Sequence, residues 1–153
     1  MNILITGGYG LIGKNLVMEL SNNNSFNLFL ISRNIKSENT ATNIVTIDHD
    51  LIVPIPAEKI PKDINVVIHL AAIAHKTSSE IMEINCLMTK NITDAFLNKK
   101  VKFIFFSSVA VYGEANRLFP IKTSDFCKPY SSYGLGKLKD EEIISSSFNL
   151  PRP

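Results

Sequence analysis

The chain has 153 residues, enough for one domain with its own core. Apolar residues make up 45%, charged residues 20%, and the formal net charge is only +2. That balance argues against a nucleic-acid binder, which carries a basic stripe; the cluster Lys99, Lys100 and Lys102 suits a helix end and its loop. In chain order, "NILIT" (Asn2 to Thr6) reads as a buried strand. Leu11 to Leu20 follows as a helix, with Ile12, Leu16, Val17 and Leu20 at helical spacing. "NLFLIS" (Asn27 to Ser32) and "NIVTID" (Asn43 to Asp48) are the second and third strands. Val53 to Lys62 carries Pro54, Pro56 and Pro61, so it is expected to be a loop with at most a short helix. "NVVIHLA" (Asn65 to Ala71) is a fourth strand, Glu80 to Leu97 a long helix, and "KFIFFSS" (Lys102 to Ser108) a fifth strand. Ser131 to Ser146 is the last helix.

The strands are nearly all apolar rather than alternating, so both faces are expected to be covered. Strand–helix alternation then predicts an α/β fold, a doubly wound parallel sheet. The chain stops at "FNLPRP", just after a helix, whereas a sheet of this type has about six strands. The expectation is one domain, 1–153, whose last strands lie beyond it. The segment "MNILITGG" lacks a basic n-region and a signal-peptide core. No stretch approaches the ~18 apolar residues of a membrane span. A cytoplasmic protein without membrane contact is expected. Cys86 and Cys127 show no metal spacing and no C-x-x-C pattern, so they are expected to be reduced and structural.

"TGGYGLIG" places Gly7, Gly10 and Gly13 between a strand and a helix. Glycine permits a tight turn and close backbone approach, and the helix start offers free N–H groups to a pyrophosphate. Dinucleotide binding is the reading. At the end of the second strand an acidic residue would accept from the adenosine ribose hydroxyls. Ser32 and Arg33 stand there instead, and an arginine suits a 2′-phosphate. This favours NADP over NAD. Asp50 could accept from the adenine amino group, with Asp48 a competing choice.

A second site is read at "FFSSVAVYG" and at Tyr133-Gly-Leu-Gly-Lys137. Ser107 and Ser108 end a strand, where ligands sit in this architecture. Tyr133 and Lys137, four apart on a helix, share one face. An ammonium near a phenol favours phenolate and lowers its pKa from about 10, so that the tyrosine can pass a proton to or from a sugar hydroxyl. Tyr130 follows Pro129, is two turns from Lys137, and is expected in the loop before the helix. Lys139, Asp140, Glu141 and Glu142 are expected to form a solvated face.

With these motifs in order, the chain resembles the extended short-chain dehydrogenase/reductase family. It is most similar to the NAD(P)-dependent nucleotide-sugar epimerases, dehydratases and reductases, of the UDP-glucose 4-epimerase-like kind. The matches are "TGGYGLIG", Asp50-Leu51, "HLAA", "NCLMTKN", "SSVAVYG" and "PYSSYGLGK". The resemblance implies that Gly7, Gly10 and Gly13 shape the pyrophosphate loop with Tyr9, Leu11 and Ile12 beside it. Asp50 and Leu51 would flank the adenine, and Leu70, Ala71 and Ala72 would line the cofactor. Asn85 would support the active-site helix and its water. Ser108 would hydrogen-bond the substrate oxygen, Tyr133 would be the acid/base, and Lys137 would bind the nicotinamide ribose. It also implies a nucleotide-sugar substrate, UDP-linked, and a homodimer formed through the helices bearing Asn85 and Tyr133.

The implied activity is hydride transfer at the sugar C4, as epimerase or 4-keto reductase. The alternatives are a non-catalytic dinucleotide-binding module and a 4,6-dehydratase. The latter branch carries acidic residues beside its catalytic serine or threonine, where this chain has Val109 and Ala110. The family's substrate-binding subdomain is expected beyond this chain. Met88 stands at a frequent glycine and should affect helix packing alone. Tyr112 is expected to shape the substrate pocket, Tyr9 to pack or touch the cofactor, and His69 to be packed and hydrogen-bonded. His49 and His75 are isolated, and no histidine pair has metal-ligand spacing. "AIAH" with Lys76 resembles a loop of polysaccharide-biosynthesis members that handle N-acetylated UDP-sugars.

Overall fold

The structure, a computed structural model, describes residues 1–33, 41–73, 79–113 and 120–150. Five strands form one parallel sheet: β1 (Asn2–Thr6), β2 (Asn27–Ser32), β3 (Ile44–Asp48), β4 (Val66–His69) and β5 (Lys102–Phe105). Their order is β3-β2-β1-β4-β5. The chain winds outward from β1 through β2 to β3, then crosses back to β4 on the other side of β1. That reversal opens a crevice at the carboxyl ends of β1 and β4, where Thr6 lies opposite His69. The doubly wound sheet expected from the sequence is the observed one.

Alternation along each strand sends apolar side chains to both faces. Ile3, Ile5, Leu28, Leu30 and Ile68 pack with Val17 of α1 (Leu11–Ser21) on one face. Leu4, Ile31 and Val67 pack with Met88 and Ile92 of α2 (Ser79–Asp94) on the other. Each fully buried aliphatic side chain of this set contributes ~1.5–3 kcal/mol. The third helix, α3 (Ser132–Ser147), packs beside α2. Gly136 lets the two helices approach closely, since a Cβ there would lie 3.1 Å from Met82 Cγ.

Two expectations are corrected at the edges. Both faces are covered for the central strands, but Val45 of β3 is exposed and β5 is only half-buried. Each edge strand has a neighbour on one side alone. β4 ends at His69 rather than Ala71 because the Ala71 N–H bonds the Thr6 hydroxyl instead of a strand carbonyl. β5 ends at Phe105 rather than Ser108, since Ser108 caps a 3-10 turn over Val109–Tyr112. α2 stops at Asp94 rather than Leu97; the chain tightens into shorter bonds and Asn98 takes a left-handed φ of 61°. The proline segment is a loop with one 3-10 turn, Ala57–Lys59, as expected.

Candidate functional site

The glycine loop leaves β1 at Gly7, whose φ is +72°. A Cβ at Gly7 would lie 2.7 Å from the Ala71 nitrogen, so the loop can approach the end of β4 only with glycine. The Gly10 N–H donates to the Gly7 carbonyl at 3.0 Å, and α1 starts immediately after. Its first turn has no side-chain cap and no acidic residue. Free N–H groups and the positive end of the dipole are thus left for an anion. Gly13 is buried under the loop, where a Cβ would lie 2.1 Å from the Gly7 carbonyl oxygen.

In front of this loop is a cleft of about 230 Å³. Of the residues picked from the sequence, Gly7, Tyr9, Gly10, Ser32, Arg33, Asp50, Leu51, Ala71 and Ala72 line it. Leu11 and Ile12 do not: they are 85% and 56% exposed on the outside of the first helical turn. Leu70 is turned to the core on the α1 side of the sheet. Ile31, His49, Ile73 and Met88 line the cleft and were not picked for it. His49, expected to be isolated, is buried with its Nε2 3.1 Å from the Val53 carbonyl. Met88, expected to affect packing alone, both joins the core and reaches the cleft. Its apolar position on α2 was legible; His49 carried no such signal.

Charge sits at the rim. Arg33 Nη1 lies 3.3 Å from Asp50 Oδ2, and the arginine side chain is 61% exposed. Asp50 Oδ1 accepts from the Ile52 N–H at 3.1 Å, which fixes the carboxylate. Asp48, the competing choice, is exposed and outside the cleft lining. The Tyr9 hydroxyl pairs with Thr46 Oγ1 at 3.0 Å, so Tyr9 both packs and lines the cleft.

The second set lies around the start of α3. Ser131 caps the helix, its Oγ accepting from the Gly134 N–H at 3.0 Å, and Tyr130 is exposed before it, as expected. A Cβ at Gly134 would lie 2.4 Å from the Ala110 carbonyl oxygen. That glycine presses the Tyr133 turn of α3 onto the 3-10 turn that follows Ser108. Ser108 Oγ accepts from the Ala110 N–H at 3.2 Å, which leaves its proton free to donate. Ser107 instead donates to the Glu141 carboxylate.

Tyr133 is half-buried in a small cleft with Ile73, Ile81, Met82, Asn85, Ser132 and Gly136. Ile73 is therefore a wall common to both clefts. Asn85 holds that wall: its Oδ1 accepts from the Ile73 N–H at 2.8 Å and its Nδ2 donates to the Ile73 carbonyl at 3.1 Å. Asn85 supports the site through the loop rather than by lining the larger cleft.

Lys137 points inward, as expected, and is 5% exposed. Its ammonium donates to the Phe106 carbonyl at 3.1 Å and lies 4.4 Å from the centre of the Phe105 ring. Burial pushes its pKa down, against the pull of Asp140 and Glu141. No hydrogen bond joins Lys137 to Tyr133 among the described residues. Asp140 is a correction: expected on the solvated face, it is 1% exposed, with Oδ2 3.9 Å from the Lys137 ammonium. Burial pushes its carboxyl up. His69 is packed and hydrogen-bonded, as expected. Burial, reinforced by Lys137, lowers its pKa to about 3, so the ring is neutral.

Tyr112 ends the 3-10 turn, and loss of solvent raises its pKa. Cys86 and Cys127 are free. Burial and Asp140 push the Cys86 thiol up to about 11, and burial raises Cys127 too, which leaves both poor nucleophiles. No group of three or more His, Cys, Asp or Glu able to hold a metal occurs among the described residues. Among the same residues no helix is long and apolar enough to cross a membrane. His75 and Lys76 lie outside the described residues.

The fold has counterparts among known proteins. The model of the NAD dependent epimerase/dehydratase family matches residues 3–148. UDP-glucuronic acid 4-epimerase from Bacillus cereus, solved with UDP-glucuronic acid and NAD, is 28% identical, with a TM-score of 0.84 over 99% of this chain and 54% of that one. UDP-N-acetylglucosamine 4-epimerase from Methanobrevibacter ruminantium M1, solved with UDP-N-acetylmuramic acid, is 30% identical, with a TM-score of 0.79 over 97% of this chain and 52% of that one. dTDP-glucose 4,6-dehydratase from Bacillus anthracis, in complex with NAD, shares the fold at 22% identity, with a TM-score of 0.79 over 99% of this chain and 52% of that one. The chain thus spans about half the length of each. With the family model matched over nearly its whole length, the chain belongs to the NAD dependent epimerase/dehydratase family, within the extended short-chain dehydrogenase/reductases.

Proposed function

We propose that residues 1–153 form the dinucleotide-binding part of an NAD(P)-dependent enzyme that moves a hydride at C4 of a nucleotide-sugar, UDP-linked, with Tyr133 as acid/base. The observation that carries this is the single wall, Ile73, shared by the glycine-loop cleft and the Tyr133 cleft. A dinucleotide in the first cleft would have its reactive end next to the tyrosine. The residues fit such a group. The Gly7–Gly13 loop and the uncapped start of α1 would hold the pyrophosphate. Ser32 and Arg33 would meet the adenosine ribose, Asp50 and Leu51 the adenine, and Lys137 the nicotinamide ribose.

When bound, the nicotinamide supplies the hydride exchange. The chain's own groups do the rest. Ser108 keeps a donor for the sugar oxygen, and Tyr133 takes or returns the hydroxyl proton. The B. cereus and M. ruminantium relatives, both UDP-sugar 4-epimerases, support the C4 reading. NAD is the cofactor in the first of these. Arg33 keeps NADP as the preferred form in this reading. Its exposed pair with Asp50 contributes only ~0.2–1 kcal/mol, which a bidentate bond to a 2′-phosphate would outcompete. A cytoplasmic homodimer through α2 and α3 belongs to the same reading; Leu87 and Leu135 on those helices are exposed.

Titration with NADH and NADPH, followed by a C4-epimer assay on UDP-sugars, tests the proposal. Absence of dinucleotide binding would overturn it. Binding without conversion of any UDP-sugar would favour a second reading, a dinucleotide-binding module. A 4-keto-6-deoxy product would point to the dehydratase instead.

A further inference from the structure

Asp140 lies outside the Ser108, Tyr133 and Lys137 set, one turn beyond Lys137 on the inner side of α3. Its Oδ2 is 3.9 Å from the Lys137 ammonium, and its Oδ1 has no hydrogen-bond partner among the described residues. The Thr89 hydroxyl and the Cys86 thiol, both on α2, face the carboxylate and favour its ionised form, while burial opposes it. Thr89 Oγ1 is also 3.1 Å from His69 Nε2. His69 Nδ1 is 2.6 Å from Thr6 Oγ1, which accepts from the Ala71 N–H at 3.2 Å. Ala71 lines the dinucleotide cleft.

The directions of these bonds agree along the chain. Thr6 accepts from Ala71 and can give its proton to His69 Nδ1. Neutral His69 then carries its proton on Nε2 and donates to Thr89. Thr89 keeps its own proton on the side of α2 that faces Asp140. We propose that Asp140 is a positioning residue for Lys137. It holds the buried ammonium against the Phe106 carbonyl just beyond β5, beside the Thr89, His69 and Thr6 run that leads to the wall of the dinucleotide cleft. The proposal rests on the reading of Lys137 as the nicotinamide-ribose ligand.

The physical need is plain. A buried ammonium left without an anion gives up its proton. The charged and titratable groups facing the pair are Glu141 and Lys139 on α3, Cys86 on α2 and His69 on β4. From β5 and its extension, the contacts among the described residues are the Phe105 ring and the Phe106 carbonyl. Glu141 is half-exposed and already accepts from Ser107. Asp140 is the buried counter-charge.

The test is NADH affinity across pH for the unaltered chain and for Asp140→Asn, Asp140→Glu, Thr89→Val and Lys137→Met. In the unaltered chain, affinity falls on an alkaline limb as Lys137 loses its proton. Removing the Asp140 charge removes a pull that raises the Lys137 pKa. Asp140→Asn should therefore move the limb down by about one pH unit, up to tenfold in affinity along it. Asp140→Glu should restore most of the shift, and Thr89→Val should show a smaller one of the same sign. A merely structural Asp140 would lower affinity equally at every pH, and a limb that stays in place overturns the proposal. If Asp140→Asn does not fold, Thr89→Val decides on the same criterion. An unchanged profile in Lys137→Met would instead overturn the placement of Lys137 itself.

Discussion

Replacing Asn85 by leucine removes two bonds and little volume. Both bonds go to Ile73, at 2.8 and 3.1 Å, and Ile73 separates the two clefts. A net internal hydrogen bond contributes about 1 kcal/mol, so the 71–73 loop should become about 2 kcal/mol easier to open. At 1.4 kcal/mol per factor of ten, that is a roughly 30-fold larger opening constant. Amide hydrogen exchange of Ile73 reads it directly, because the Ile73 N–H is itself bonded to Asn85 Oδ1. Asn85→Leu should exchange at Ile73 about 30-fold faster. Asn85→Asp keeps the acceptor for that N–H and loses only the donor to the carbonyl. Its Ile73 amide should stay closer to the unaltered rate. NADH affinity should fall in the same order, leucine more than aspartate. An Ile73 amide equally protected in the leucine variant would refute the clamp.

Gly13→Ala sets a Cβ 2.1 Å from the Gly7 carbonyl oxygen; it should destabilise by ~1–3 kcal/mol and weaken NADH binding, whereas Gly10→Ala, with 3.2 Å to the same atom, should be milder by thermal melting. Tyr133→Phe in the active enzyme should lose ~10²–10⁴-fold in turnover with NADH affinity little changed. Arg33→Ala should weaken NADPH more than NADH in paired titrations. His69 has a folded pKa of about 3, below the 6.5 of the unfolded chain, so the unfolded state binds more protons as pH falls. Its contribution is complete above pH 6.5 and is lost down to pH 3, with a slope on the order of 1 kcal/mol per pH unit. Urea unfolding across that range should show the slope, and His69→Gln should flatten it.

Most of the fold could be read because its signals are local. Five apolar runs, a glycine loop and a helix of 3.6 period each state their own structure within a few residues. The boundaries could not, because tertiary bonds set them. β4 stops where a side chain of β1 takes the Ala71 N–H, a residue 65 positions away. β5 stops where Ser108 turns its hydroxyl back on Ala110. The glycine positions read well for the same local reason, while the Leu11 and Ile12 side chains stand outside the cleft. A helix start faces an anion with its backbone N–H groups, and the side chains of that turn point outward.

The site divides along the same line. Tyr133 and Lys137 are one helical turn apart, so their pairing was visible as spacing, and Gly134 and Gly136 between them give the close contacts that bring α3 to the 3-10 turn and to α2. Asp140 follows the same helix and was placed in solvent, because it sits in a run of charged residues and polarity alone was the guide. Helical geometry would have argued otherwise, since three residues from Lys137 returns nearly to the same face. If Lys137 faces inward, Asp140 must face nearly the same way, and a buried carboxylate needs donors. Thr89 and Cys86 on α2 face it, and behind Thr89 stand His69 on β4 and Thr6 on β1. Asp140, Thr89, His69 and Thr6, one from each of four elements, have no spacing by which to be found. What makes them recognisable is the run of buried polar contacts from Thr89 through His69 and Thr6 to the Ala71 backbone at the cleft, with the Lys137–Asp140 pair facing its far end.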